Sequence, residues 1–292
     1  MNTNFECIAG PFNSQLGGIL WSDKGLIFSL IDELLLQKFD PTSGLISTFR
    51  SYTGRMNGMA KASDNSIFVC QEGGRRVIQL QPDGSANVTA TRFEGKIHNH
   101  PYDLCIDSKD RVWFSDPRSG TQAFGPQIFP PLKHASVMRL ERDQIGHWVI
   151  RRMSFDTDFP GAVLLSDDEQ TLFLAENSDD ENCNRELRAY PIKADGSLGK
   201  FQVLHSFGKD YLGLHAGILG MCKDHTGQIF ACAGDLKNGR HSVIYRYSSS
   251  GQLLGAIPFE HGTPMRCTFS GENNKHLYVT SSDQCIYRLT LD

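Results

Sequence analysis

Apolar positions along this chain come in short alternating runs, each broken by a polar turn and followed by a second apolar or aromatic run. The unit recurs at residues 18–29, 57–70, 102–116, 161–175, 219–232 and 266–280. Val112-Trp-Phe-Ser, Thr171-Leu-Phe-Leu and Leu277-Tyr-Val-Thr are three spellings of its second half. Period-two alternation on both sides of a polar turn predicts a β-hairpin. The spacing, roughly 40–60 residues, is the period of propellers and solenoids. Six copies fill the chain and predict an all-β, six-bladed β-propeller, a single domain over residues 1–292.

Further segments fit that plan. Arg76-Val-Ile-Gln-Leu, Ser136-Val-Met-Arg-Leu and Cys285-Ile-Tyr-Arg-Leu alternate as third strands facing a neighbouring blade should. The N-terminal Phe5-Glu-Cys-Ile is expected to pair with the last blade, because a propeller must not leave a free sheet edge. Two stretches break the rhythm. Residues 119–131 mix Gly and Pro with Phe124 and Phe129 and read as a long loop; residues 177–184 are acidic and read as a solvated loop.

Composition narrows the class. The 29 basic and 33 acidic residues give a net charge of -4, which offers no basic face for nucleic acid. Five of the eight cysteines (Cys70, Cys105, Cys222, Cys232 and Cys267) fall inside apolar strands, and no Cys-x-x-Cys pair occurs. Reduced, packed thiols are expected, and a zinc site of the usual spacing is not. The start has neither a basic segment nor a long apolar run, so the expected location is cytoplasmic, with no membrane partner. The expected partner is a small-molecule substrate, with the protein a monomer or weak homodimer.

Several copies resemble the SMP-30/gluconolactonase/LRE-like family in motif order. These are Asn57-Gly-Met with Val69-Cys-Gln-Glu-Gly-Gly, Pro101-Tyr-Asp-Leu with Phe114-Ser-Asp-Pro, Gly220-Met-Cys-Lys-Asp-His, and Cys267-Thr-Phe-Ser-Gly with Leu277-Tyr-Val-Thr. The resemblance implies a six-bladed propeller, lactone hydrolysis, and one divalent metal ion at the mouth of the central channel. It also places the ion's oxygen ligands at four positions, occupied here by Gly17, Tyr102, Gly161 and Leu219. Gly17, Gly161 and Leu219 carry no side-chain donor, whereas a calcium-like ion takes six to eight oxygens. The expectation is therefore an enzyme with no cofactor and no metal ligands, with Leu219 giving the pocket an apolar floor. A histidine site built on His98 and His100, which alternate in His98-Asn-His100, is an open alternative.

Candidate chemistry is then sought where the innermost strands begin. The catalytic candidates are His100, Tyr102, Asp103 and His215. In this reading His100 is a general base oriented by Asp103, and Tyr102 is an oxyanion donor. The substrate-binding candidates are Arg55, Asn57, Phe159, Leu219 and Arg266 at those strand starts, and Glu72, which follows the next strand of the second blade and is expected below the rim. The leading expectation is metal-independent lactone or ester hydrolysis on a fairly hydrophobic substrate. The alternatives are a cyclase, isomerase or C–C bond-forming enzyme of natural-product biosynthesis, by analogy with strictosidine-synthase-like propellers, and a non-catalytic small-molecule binder.

Overall fold

The computed structural model describes residues 4–22, 25–120, 122–125, 128–178, 180, 182–183, 185–211, 213–234, 242–270 and 275–291. Six four-stranded antiparallel sheets form the blades, five with their strands in sequential order and the sixth with the N-terminal strand as its outermost. Their innermost strands are Leu16–Ser22, Met56–Lys61, Leu104–Ile106, Pro160–Leu165, Ile218–Lys223 and Pro264–Phe269. Each of these touches the next, and the first touches the sixth, so they enclose one channel. Among the described residues there is no helix long and apolar enough to cross a membrane.

The sixth blade is completed from the N-terminus, as the sequence implied. Strand Glu6–Ala9 pairs antiparallel with Ile286–Thr290, Cys7 lying opposite Tyr287. Phe5 anchors this closure: it is 6% exposed and meets Phe259 edge-on at 4.9 Å.

Alternation does the rest. One face of each blade packs on the opposite face of its neighbour, so the core is divided among the blade interfaces. Phe68, Cys70 and Val77 of the second blade, for instance, meet Leu104, Phe114 and Met138 of the third. All eight cysteines are free thiols, and Cys70, Cys105, Cys232 and Cys267 are buried in these interfaces.

One irregularity positions the site. The innermost strands of five blades slip register near their channel-mouth ends, at Leu16/Ile19, Met56/Met59, Pro160/Val163, Ile218/Gly220 and Pro264/Arg266. A bulge bends its strand and re-aims the side chains within it. Gly17, Asn57, Gly161 and Leu219 all lie in these slips.

Candidate functional site

The approach to the third blade is held by one carboxylate. Asp116, fully buried at the end of strand Val112–Asp116, accepts the backbone N–H of His100 at 2.7 Å and that of Asn99 at 3.0 Å. Its Oδ2 also lies 3.3 Å from Nδ1 of His98, whose ring meets Phe114 edge-on. Residues 98–100 are thereby locked in an irregular turn rather than a strand. The Nδ1 of His98 and that of His100 face different carboxylates.

His100 is 8% exposed, and its Nδ1 lies 3.6 Å from Glu72 Oε1. Burial holds its pKa below the ordinary 6.5, against the opposing pull of Glu72, and Arg75 pushes in the same direction as burial. The imidazole is therefore neutral near pH 7 and able to take a proton. Glu72 is itself buried, and its other oxygen is 3.4 Å from Arg55 Nε; Arg55 Nη1 is 2.9 Å from Asp32. Arg55, Glu72 and His100 thus form one chain across the second and third blades.

The structure pairs Asp103 differently from the expectation. Its carboxylate does not orient His100; Oδ2 is 3.2 Å from Arg266 Nη1 and accepts the Val163 N–H at 3.1 Å. Burial pushes the Asp103 carboxyl up, while the adjacent guanidinium holds it down. Arg266 is 6% exposed and donates to the Leu219 carbonyl (2.8 Å), Asn57 Oδ1 (3.1 Å) and the Tyr102 carbonyl (3.3 Å). Its guanidinium stands 4.2 Å from the centre of the Tyr102 ring, and the Tyr102 hydroxyl donates to the Leu219 carbonyl at 3.4 Å. Burial alone would lower the Arg266 pKa, but Asp103 and Tyr102 outweigh it and the pKa is raised.

The channel floor is therefore an ion pair and not the apolar surface Leu219 suggested, because Leu219 turns its carbonyl to the guanidinium. Asn57 and Arg266 spend their polar groups on each other, and the Tyr102 hydroxyl is likewise engaged. Along the strands from this pair, a cavity of about 250 Å³ lies against Gly18, Gly58, Lys61, Lys223, Asp103 and Arg266. Phe159 lies at the approach to the fourth blade, its N–H donating to Glu176 Oε1 at 2.5 Å. His215 lies at the approach to the fifth; its N–H donates to Gly208 and its carbonyl accepts from Arg185.

Three features escaped the sequence reading. Asp116, which fixes His100, was visible only as the end of a strand. Asn177, expected in a solvated loop, donates to the Ile218 carbonyl at 2.7 Å and fills the space beside Gly161. The loop around Phe124 reaches back over the second blade: Phe124 N–H donates to the Gly73 carbonyl at 2.8 Å, and its ring lies where a side chain on residue 73 would be. A cavity of about 650 Å³ opens beneath that loop, lined by Arg75, Asn99, Arg118 and Phe129 among others.

A divalent ion does not fit the residues present. A Cβ on Gly17 would come 2.9 Å from the Ile31 side chain, and one on Gly161 would come 2.7 Å from Asn177 Nδ2. The spaces where the resemblance places two ligands are thus filled by neighbours. At the other two positions, the carbonyls of Tyr102 and Leu219 already accept from a guanidinium, whose charge repels a second cation. Among the described residues, no group of three or more His, Cys, Asp or Glu is placed to hold a metal.

Comparison with known proteins agrees with the fold and the motif order. A gluconolactonase of Zymomonas mobilis is 26% identical over 98% of this chain and 81% of its own length. The structure of XC5397 from Xanthomonas campestris, described as a gluconolactonase, superposes with a TM-score of 0.81 at 26% identity, covering 99% of this chain and 89% of that one. A calcium-binding regucalcin from Agrobacterium tumefaciens shares the fold, with a TM-score of 0.73 at 15% identity over 97% of this chain and 92% of that one. The description of one family, the SMP-30/gluconolactonase/LRE-like region, matches residues 17–283, and the chain belongs to that family.

Proposed function

We propose that this protein hydrolyses a lactone or related cyclic ester at the channel mouth, with His100 as the general base and no divalent ion in the reaction. The observation that carries this reading is the His100–Glu72 contact: a buried, neutral imidazole with a carboxylate at one nitrogen and a backbone fixed by Asp116. The gluconolactonases among its relatives support the reaction class.

In this mechanism His100 Nε2 takes a proton from water as the water oxygen bonds to the lactone carbonyl carbon. Glu72 stabilises the imidazolium as it forms. Collapse of the tetrahedral adduct breaks the ring C–O bond, and the imidazolium returns its proton to the leaving alkoxide, giving a hydroxy acid. Arg55, Glu72 and His100 make the wall polar, which suits a hydroxylated lactone better than a hydrophobic one. Asp103, Asn57 and Arg266 act in this scheme by holding the floor.

The test is hydrolysis of a panel of five- and six-membered lactones by purified protein, with and without a chelator. Turnover of at least one lactone that survives the chelator is expected. No turnover across the panel, or turnover abolished by chelator and restored by a divalent ion, would overturn the reading.

A further inference from the structure

The innermost strands carry a fixed cation of their own. We infer that the Arg266 guanidinium takes the place of the divalent ion as the charge that ties the blades together at the channel mouth. This inference stands whether or not the lactonase reading does.

Four oxygens from three other blades converge on one guanidinium. They are Asn57 Oδ1 of the second blade, the carbonyl of Tyr102 and the carboxylate of Asp103 from the third, and the Leu219 carbonyl of the fifth. A carboxylate, an amide oxygen and two carbonyls make a hard-oxygen set of the kind that holds a calcium-like cation. Here they meet a planar cation with several N–H donors, bonded covalently to the sixth blade. Two of the four oxygens belong to residues 102 and 219, which occupy ligand positions in the family pattern. The side chain of Tyr102 completes the enclosure, with its ring over the guanidinium and its hydroxyl on Leu219.

The glycines agree with this arrangement. A Cβ on Gly58 would stand 2.5 Å from the Asp103 carboxylate, and one on Gly220 would stand 2.8 Å from Arg266 Cδ. The second and fifth blades thus leave room for the ion pair. A tethered cation is always present, so the hub needs no metal to be charge-balanced and offers none a place.

Calcium and manganese titrations by calorimetry, with thermal unfolding of wild type, Arg266→Ala and Arg266→Lys, test the inference. Wild type is expected to bind neither ion and to unfold at the same temperature with or without chelator. Arg266→Ala should unfold roughly 5–10 °C lower, since one partner of a buried pair is removed. Added methylguanidinium or calcium should recover part of that loss, by filling the vacated oxygens. Arg266→Lys keeps the charge but not the fork, and should fall between the two. If Arg266→Ala does not fold, Arg266→Lys carries the stability arm. One equivalent of calcium bound to wild type with a rise in unfolding temperature would overturn the inference. So would an arginine variant as stable as wild type.

Discussion

The Glu72 carboxylate joins two blades, with one oxygen 3.6 Å from Nδ1 of His100 and the other 3.4 Å from Nε of Arg55. All three residues are partly or wholly withdrawn from solvent, so the interaction is little screened. It gives the imidazole a charge partner on one side while burial keeps it neutral.

Replacing His100 by Gln should lower turnover by roughly 10²- to 10⁴-fold, the usual contribution of a general base. The fold should persist, because Asp116 grips the backbone N–H groups of residues 99 and 100 and not the imidazole. Steady-state kinetics with circular dichroism on the same sample check both halves. Unchanged turnover would remove His100 from the chemistry.

Activity should fall on the acid side with an apparent pKa below 6.5, because the base form of His100 is the active one and burial lowers its pKa. Glu72 works against that shift by favouring the charged imidazole. Glu72→Gln should therefore move the acid limb to still lower pH while leaving its shape. A pH profile of kcat/KM that moves upward in the variant would contradict the pairing.

Asp103→Asn should act on stability before it acts on chemistry. It leaves the buried Arg266 guanidinium without its 3.2 Å counter-charge, a loss of about 3–5 kcal/mol by analogy with other broken buried pairs. Denaturant unfolding measures it. A variant within about 1 kcal/mol of wild type would mean that the pair is solvated and weak.

Gly58→Ala should destabilise by about 1–3 kcal/mol, because the added methyl must displace Asp103. Gly120→Ala, where a Cβ meets nothing within 4 Å, serves as the control and should be near neutral. Equal effects of the two substitutions would argue against close approach at the hub.

Phe5→Ala should cost about 3 kcal/mol or more, since Phe5 is buried against Phe259 where the N-terminal strand closes the ring. Faster hydrogen exchange confined to the sixth blade is the accompanying signature. Uniform exchange in the sixth blade and in the others would show that closure is not the local weak point.

The blades follow from local pattern alone. Alternation such as that of Val112–Asp116, opposite Ser136–Arg142, has one pleated solution that buries its apolar face, and six repeats of it have one way to share their faces. Phe5-Glu-Cys-Ile could be assigned to the last blade for the same reason, an edge that must be covered. The sequence also brought His100 and Arg55 into view where innermost strands begin, and Glu72 just after a second strand.

Which residues face one another at the channel depends on the closed ring of blades. Asn57 and Arg266 are 209 residues apart and share a hydrogen bond, and no local pattern encodes it. Asp103 sits three residues from His100, yet its carboxylate pairs across the channel with Arg266. Asp116 and Glu72, both at the ends of second strands, take up the histidine instead. For Asn57 and Arg266 the bulges supply part of the physical reason, since a register slip re-aims a side chain by an amount that periodicity does not record. For all of them, six strands converging on one axis bring distant residues within bonding distance.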